Sequence, residues 1–138
     1  MRPSASLALL MLVASCSSSV EPSALLVTST QRLQYNAGDS VVVRFANLGD
    51  ETIDYNACFA TLQRRAGAVW QDLGPATGDV PCLGNTFHLQ AGAVDSVIFG
   101  LTSNQPAATY RYALSSFRRN DGSPLSLSDR TTNPFLVR

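Results

Sequence analysis

The stretch SVVVRFANLGDE, residues 40–51, decides the fold. Val41, Val43 and Phe45 fall on one face at period two, the spacing of a strand with one buried side. The run ends at Asn47-Leu48-Gly49-Asp50, where Asx and Gly residues accommodate a turn. The same alternation recurs in DSVIFGL (residues 95–101), with Val97, Phe99 and Leu101 in phase, and in TYRYALSSF (residues 109–117), with Tyr110, Tyr112 and Leu114. Between such runs stand NAGD (36–39), RAGA (65–68), QAGA (90–93) and NDG (120–122), each placing Gly beside small or Asx residues. No segment of ten or more residues repeats its apolar positions at helical spacing. Short strands separated by turn signals indicate an all-β sandwich or barrel. Strands are expected at residues 25–28, 33–35, 40–47, 53–64, 69–73, 86–89, 95–101, 109–117 and 132–137.

The amino end reads differently. Arg2 precedes an apolar run from Ala5 to Ala14, then small residues up to Cys16, the layout of a secretory signal peptide. The run is too short to span a bilayer, which takes roughly 20 apolar residues. Val13, Ala14, Ser15 and Cys16 resemble the lipobox of bacterial lipoprotein precursors. That resemblance implies acylation of the Cys16 thiol, cleavage before it, and acylation of the new amino terminus. More than one acyl chain makes chemical sense, because a single chain holds a protein to a membrane only marginally. The expected organisation is a signal peptide over 1–15, a lipidated cysteine and flexible linker over 16–23, and one domain over 24–138. The protein is then exported and held to the membrane of the bacterial cell envelope. Ser17 rather than an aspartate after the cysteine fits the outer membrane where the cell has two. With Cys16 acylated, Cys58 and Cys82 remain as an even pair in an oxidising compartment, and a disulfide between them is expected.

YNAGDSVVVRFANLGDETIDYNACF, LQAGAVDSVIFGL and QPAATYRYALSSF are similar to successive strands of the immunoglobulin-like domains on bacterial exported lipoproteins. The resemblance spans about residues 25–137 and implies a single immunoglobulin-like antiparallel β-sandwich of about seven to nine strands. It places Tyr110 near the start of the penultimate strand, where a tyrosine corner occurs in such sandwiches. Cys58 and Cys82 lie in the wrong strands for the usual inter-sheet disulfide packed on a Trp.

Ten basic residues, all arginine, balance ten Asp plus Glu. No concentrated positive field exists, which argues against nucleic acid. His88 is the one histidine, in the short strand TFHLQ with Thr86 and Gln90 in phase. No nucleophile elbow, phosphate loop or zinc-protease motif accompanies it, so no catalytic residue and no enzyme activity are expected. The acidic residues mostly sit in turns, and none forms a calcium loop; no metal or cofactor is assigned. The pairs Arg64-Arg65 and Arg118-Arg119 are expected at opposite ends of the sandwich, decorating exposed hairpin ends.

Two features invite a binding role. Trp70 is a candidate sugar platform on condition that it is exposed with a second aromatic in its plane. The segment GPATGDVPCLGN, residues 74–85, has the composition of an irregular loop, with Asp79, Val80 and Pro81 ahead of Cys82. Loops of this length on a β scaffold carry binding disproportionately often. The expectation is a non-catalytic, lipid-anchored envelope module presenting loops or an edge strand to an envelope protein partner. The alternatives are a proteinase-inhibitor-like sandwich acting through residues 74–85, and carbohydrate binding through Trp70.

Overall fold

The computed structural model describes residues 26–76, 78 and 84–138, and these contain no helix. Among the described residues eleven strands follow one another: β1 (Leu26–Thr30), β2 (Gln34–Tyr35), β3 (Ser40–Asn47), β4 (Ile53–Tyr55), β5 (Ala60–Ala66), β6 (Val69–Pro75), β7 (Phe87–Leu89), β8 (Val94–Gly100), β9 (Ala108–Leu114), β10 (Phe117–Arg119) and β11 (Phe135–Val137). They form a three-stranded sheet β1-β3-β8, a five-stranded sheet β2-β11-β9-β5-β6 and a short sheet β10-β4-β7. All pairings are antiparallel except β2 with β11. This is an immunoglobulin-like sandwich: of the major strands β1, β3, β5, β6, β8, β9 and β11, the first, second and fifth form one sheet and the third, fourth, sixth and seventh lie in the other.

Alternation places the core. Val41, Val43 and Phe45 are fully buried, and β8 presents Phe99 opposite Val41 and Val97 opposite Val43. Tyr110, Tyr112 and Leu114 of β9 face them from the larger sheet. The two sheets meet ring to ring where Phe99 stacks on Tyr112 at 4.7 Å between centroids, and Tyr112 stacks in turn on Phe135 of its own sheet at 5.6 Å. The Tyr110 hydroxyl donates to the Pro106 carbonyl at 2.7 Å while its ring is wholly buried, forming the tyrosine corner. Asn47 ends β3 without an unpaired polar atom. Its Nδ2 donates to the carbonyls of Glu51 and Leu89, and its Oδ1 accepts from the Gly49 N–H.

Two expected strands break in two. Residues 53–64 divide into β4 and β5, and residues 109–117 into β9 and β10. The cause is one junction that both segments share. Asn56 N–H donates to the Ser116 carbonyl, Asn56 Oδ1 accepts from Cys58 N–H at 3.0 Å, and Ser115 N–H donates to the Phe59 carbonyl. An Asx turn at 56–59 thus lifts one chain out of the short sheet into the large one, and its neighbour follows. Period-two phase slips by one residue across the break on both segments, from Tyr55 to Ala60 and from Leu114 to Phe117, all four of them buried. β6 also runs two residues further than expected, taking Gly74 and Pro75 out of the loop.

Candidate functional site

β5 and β6 form a hairpin at the rim of the five-stranded sheet, turning through Gly67, whose φ of 64° suits a residue without a Cβ. The pairing sets Gln63 beside Asp72 and Arg65 beside Trp70 on the outer face, with Arg111 of β9 next to Gln63. Gln63 Nε2 donates to Asp72 Oδ1 at 2.7 Å, and Arg111 Nε donates to Gln63 Oε1 at 2.6 Å. The Arg111 guanidinium then lies 4.2 Å from the centre of the Trp70 ring, a cation–π contact. Burial lowers the Arg111 pKa and the nearby Asp72 carboxylate opposes that shift. Trp70 is therefore half-buried with an arginine on its ring, and no ring contact with a second aromatic is found among the described residues. The condition set for a sugar platform is not met there.

The inner side of the same hairpin overhangs the smaller sheet. Every residue of β6 is exposed or half-buried, Val69 at 64% and Leu73 at 42%. Arg64 reaches Gln71 Oε1 at 3.2 Å on this side. Beneath Leu73 a cleft of about 170 Å³ is lined by Leu62, Gly74, Gly100, Thr102, Gln105 and Tyr112. β6 has β5 on one flank and, among the described residues, no strand on the other. Its run open to pairing is Val69 to Leu73, because the register against β5 slips between Asp72 and Pro75, Gly74 takes a φ of 113°, and Pro75 has no N–H to donate. β8, by contrast, is bridged on its outer side by Gly78 opposite Phe99.

The Tyr112 hydroxyl at the cleft is buried and has no hydrogen-bond partner among the described residues. Such a group costs about 1–3 kcal/mol, so Tyr112→Phe should raise stability by about 1 kcal/mol in denaturant unfolding; a loss would mean the hydroxyl has a partner. Burial also pushes the Tyr112 pKa above its ordinary 10.0, and burial with the Asp95 hydrogen bond does the same to Tyr55. Both are raised in the folded state, so the unfolded chain ionises first. Stability is then unaffected by these groups below pH 10 and falls as pH rises beyond it, less steeply in Tyr112→Phe.

His88 acquires a partner that its own strand does not supply. β7 pairs with β4 and β4 with β10, so Arg118, Asp54 and His88 form one row across three strands. His88 Nδ1 lies 2.7 Å from Asp54 Oδ1, with the two side chains 64% and 35% exposed. An exposed pair of this kind is worth at most about 1 kcal/mol. His88→Gln should leave the melting temperature nearly unchanged and binding intact; lost binding in a folded variant would make the row part of the site. The two arginine pairs stand apart, Arg64 opposite Tyr110 near the start of β9 and Arg118 beyond the end of that strand.

Cys16, Asp79, Val80, Pro81 and Cys82 lie outside the described residues. Cys58, in the turn between β4 and β5, is not a free thiol. That turn is tied to the far end of the 74–85 segment, since Asn56 Nδ2 donates to the Asn85 carbonyl at 2.9 Å.

No family model and no curated protein matches the sequence. Among solved structures the chain is similar to the ASH/PapD-like domain of human CEP192 (PapD-like domain 7), at 10% identity and a TM-score of 0.35 over 98% of this chain and 94% of that one. A likeness this distant adds nothing to the strand order already given by the hydrogen-bonded ladders.

Proposed function

We propose that the protein is a non-catalytic, lipid-anchored module of the bacterial cell envelope that binds another protein through the rim strand β6. The observation that carries the reading is the open edge from Val69 to Leu73, whose side chains are exposed or half-buried. An unpaired edge offers a row of N–H and C=O groups to an added strand, and soluble domains usually block such edges. Here the blocking Gly74 and Pro75 come only after five residues. The described chain begins, at β1, at the end of the sandwich opposite the β6 tip. β1 begins beside Asn47, whereas the β5–β6 hairpin tip lies at the end where Tyr110 begins the long strand β9. A tether at Cys16 thus leaves the β6 tip pointing away from the membrane.

The test uses the full protein in native membranes, wild type against Asp72→Pro, which removes an outward-facing edge N–H while leaving the ladder to β5, in which Gln71 pairs with Arg64, and the core untouched. After mild solubilisation, a protein retained by wild type and lost by the variant supports the reading. Equal retention by both rejects it. Intact-mass analysis of the same preparation should show an acylated species beginning at Cys16, whereas an unmodified chain beginning elsewhere removes the anchor from the proposal.

A further inference from the structure

The residues on β6 are complementary to themselves, and we infer that the strand added to this edge is β6 of a second copy of the same chain, antiparallel about Gln71. The inference rests on the edge reading above and narrows it to one occupant.

A two-fold axis perpendicular to a sheet pairs each residue with one on the same face, so only registers centred on a residue are allowed. Three centres lie within the usable run. Centring on Asp72 sets that carboxylate directly against its own copy, a destabilising arrangement for like charges opposite each other. Centring on Trp70 sets apolar Val69 against Gln71 and leaves Asp72 facing the hairpin turn. Centring on Gln71 does neither. It sets Val69 against Leu73 of the second copy, and Leu73 against its Val69, on the overhanging inner side where both are exposed in the single chain.

The outer face agrees. In that register Trp70 stands opposite Asp72 of the second copy, and Arg65 flanks Trp70 on its other side. Each cross-sheet row then reads Arg65, Trp70, Asp72, Gln63, the last two from the second copy, and the opposite row is identical by symmetry. Charges of opposite sign fall in the same row and like charges do not meet. The inner cleft beside Leu73 and Leu62 is covered by the second copy's Val69. The bulge and Pro75 at one end and the Gly67 turn at the other limit the ladder to about five residues, which sets a reversible dimer rather than an open-ended stack.

A single cysteine reads the register directly. Residues directly opposite in an antiparallel pair have Cα atoms about 4.5–5.5 Å apart, within the range a disulfide spans. The full exported chain carrying Gln71→Cys should form a disulfide-linked dimer under mild oxidation in detergent. Val69→Cys and Leu73→Cys singly should not, because each stands four residues from its own copy, while the two mixed together should cross-link. Sedimentation should show the wild-type dimer weakened at least tenfold by Val69→Lys with Leu73→Lys. Cross-linking that does not depend on position, or a monomer at all concentrations with no link at 71, overturns the inference. A link at 71 to a different protein also overturns it and leaves β6 standing as a binding edge.

Discussion

Phe45→Ala should destabilise the fold by roughly 3–5 kcal/mol, the range for emptying a buried aromatic site. Phe45 is fully buried and bridges two sheets: it belongs to β3, and its ring meets Tyr55 of β4 at 4.9 Å and Phe117 of β10 at 5.1 Å, both edge to face. Tyr55 in turn stacks on Phe117 at 5.3 Å. Removing one ring therefore takes contacts from both others, and the short sheet β10-β4-β7 is only three residues long on each strand, too little to close the cavity by shifting. Against a total of about 5–15 kcal/mol for a domain, the loss should lower the midpoint of thermal unfolding by about 15 °C. Phe45→Leu should recover most of it. A shift of only a few degrees for the alanine variant would mean that the short sheet does not rest on this ring.

Which parts of this architecture can be read from the chain follows from where the information sits. β3 is legible to the residue because its period-two pattern and its terminating Asn47-Leu48-Gly49 belong to one contiguous stretch. Tyr110 is legible because a tyrosine corner closes within four residues, from its hydroxyl to Pro106. The junction at 56–59 and 115–116 is not legible. Its hydrogen bonds join segments about sixty residues apart, and the local trace they leave is a one-residue slip of the inward phase, from Tyr55 to Ala60 and from Leu114 to Phe117. The same holds for the surfaces that matter for binding. Asp54 beside His88 and Arg111 beside Trp70 arise from cross-strand register, and neither partner is recognisable without knowing that β7 lies on β4 or β9 on β5. Trp70 shows the consequence most plainly. Composition marks it as an aromatic available to a ligand, and register hands its ring to Arg111. The edge character of β6 is likewise a property of the sheet order, since nothing in VWQDL differs from a strand that is paired on both sides.

Replacing both Cys58 and Cys82 with Ser should cost about 3.5 kcal/mol on the chain-entropy account of a loop of about 25 residues, and less where the bridge strains the fold. The pairing is expected because Cys58 is not a free thiol and because the structure already brings the two regions together. Asn56, two residues before Cys58, donates to the carbonyl of Asn85, three residues after Cys82. The effect should be local in character though large in size. β5 and β6 are held by their ladder and by the Gln63–Asp72 and Arg64–Gln71 contacts, none of which involves the bridge. The segment between Ala76 and Gly84, in contrast, touches the sandwich among its described residues through Gly78 on Phe99. The double variant should therefore keep its β circular-dichroism signal, melt at a lower temperature, and be cut by proteases within residues 76–84 before anywhere else. Dimer cross-linking through position 71 should survive, since β6 ends before the loop begins. Labelling of both thiols in the exported, unreduced wild-type protein would show that the bridge is absent. Loss of the β signal in the double variant would show instead that the bridge holds the sheets and not the loop alone.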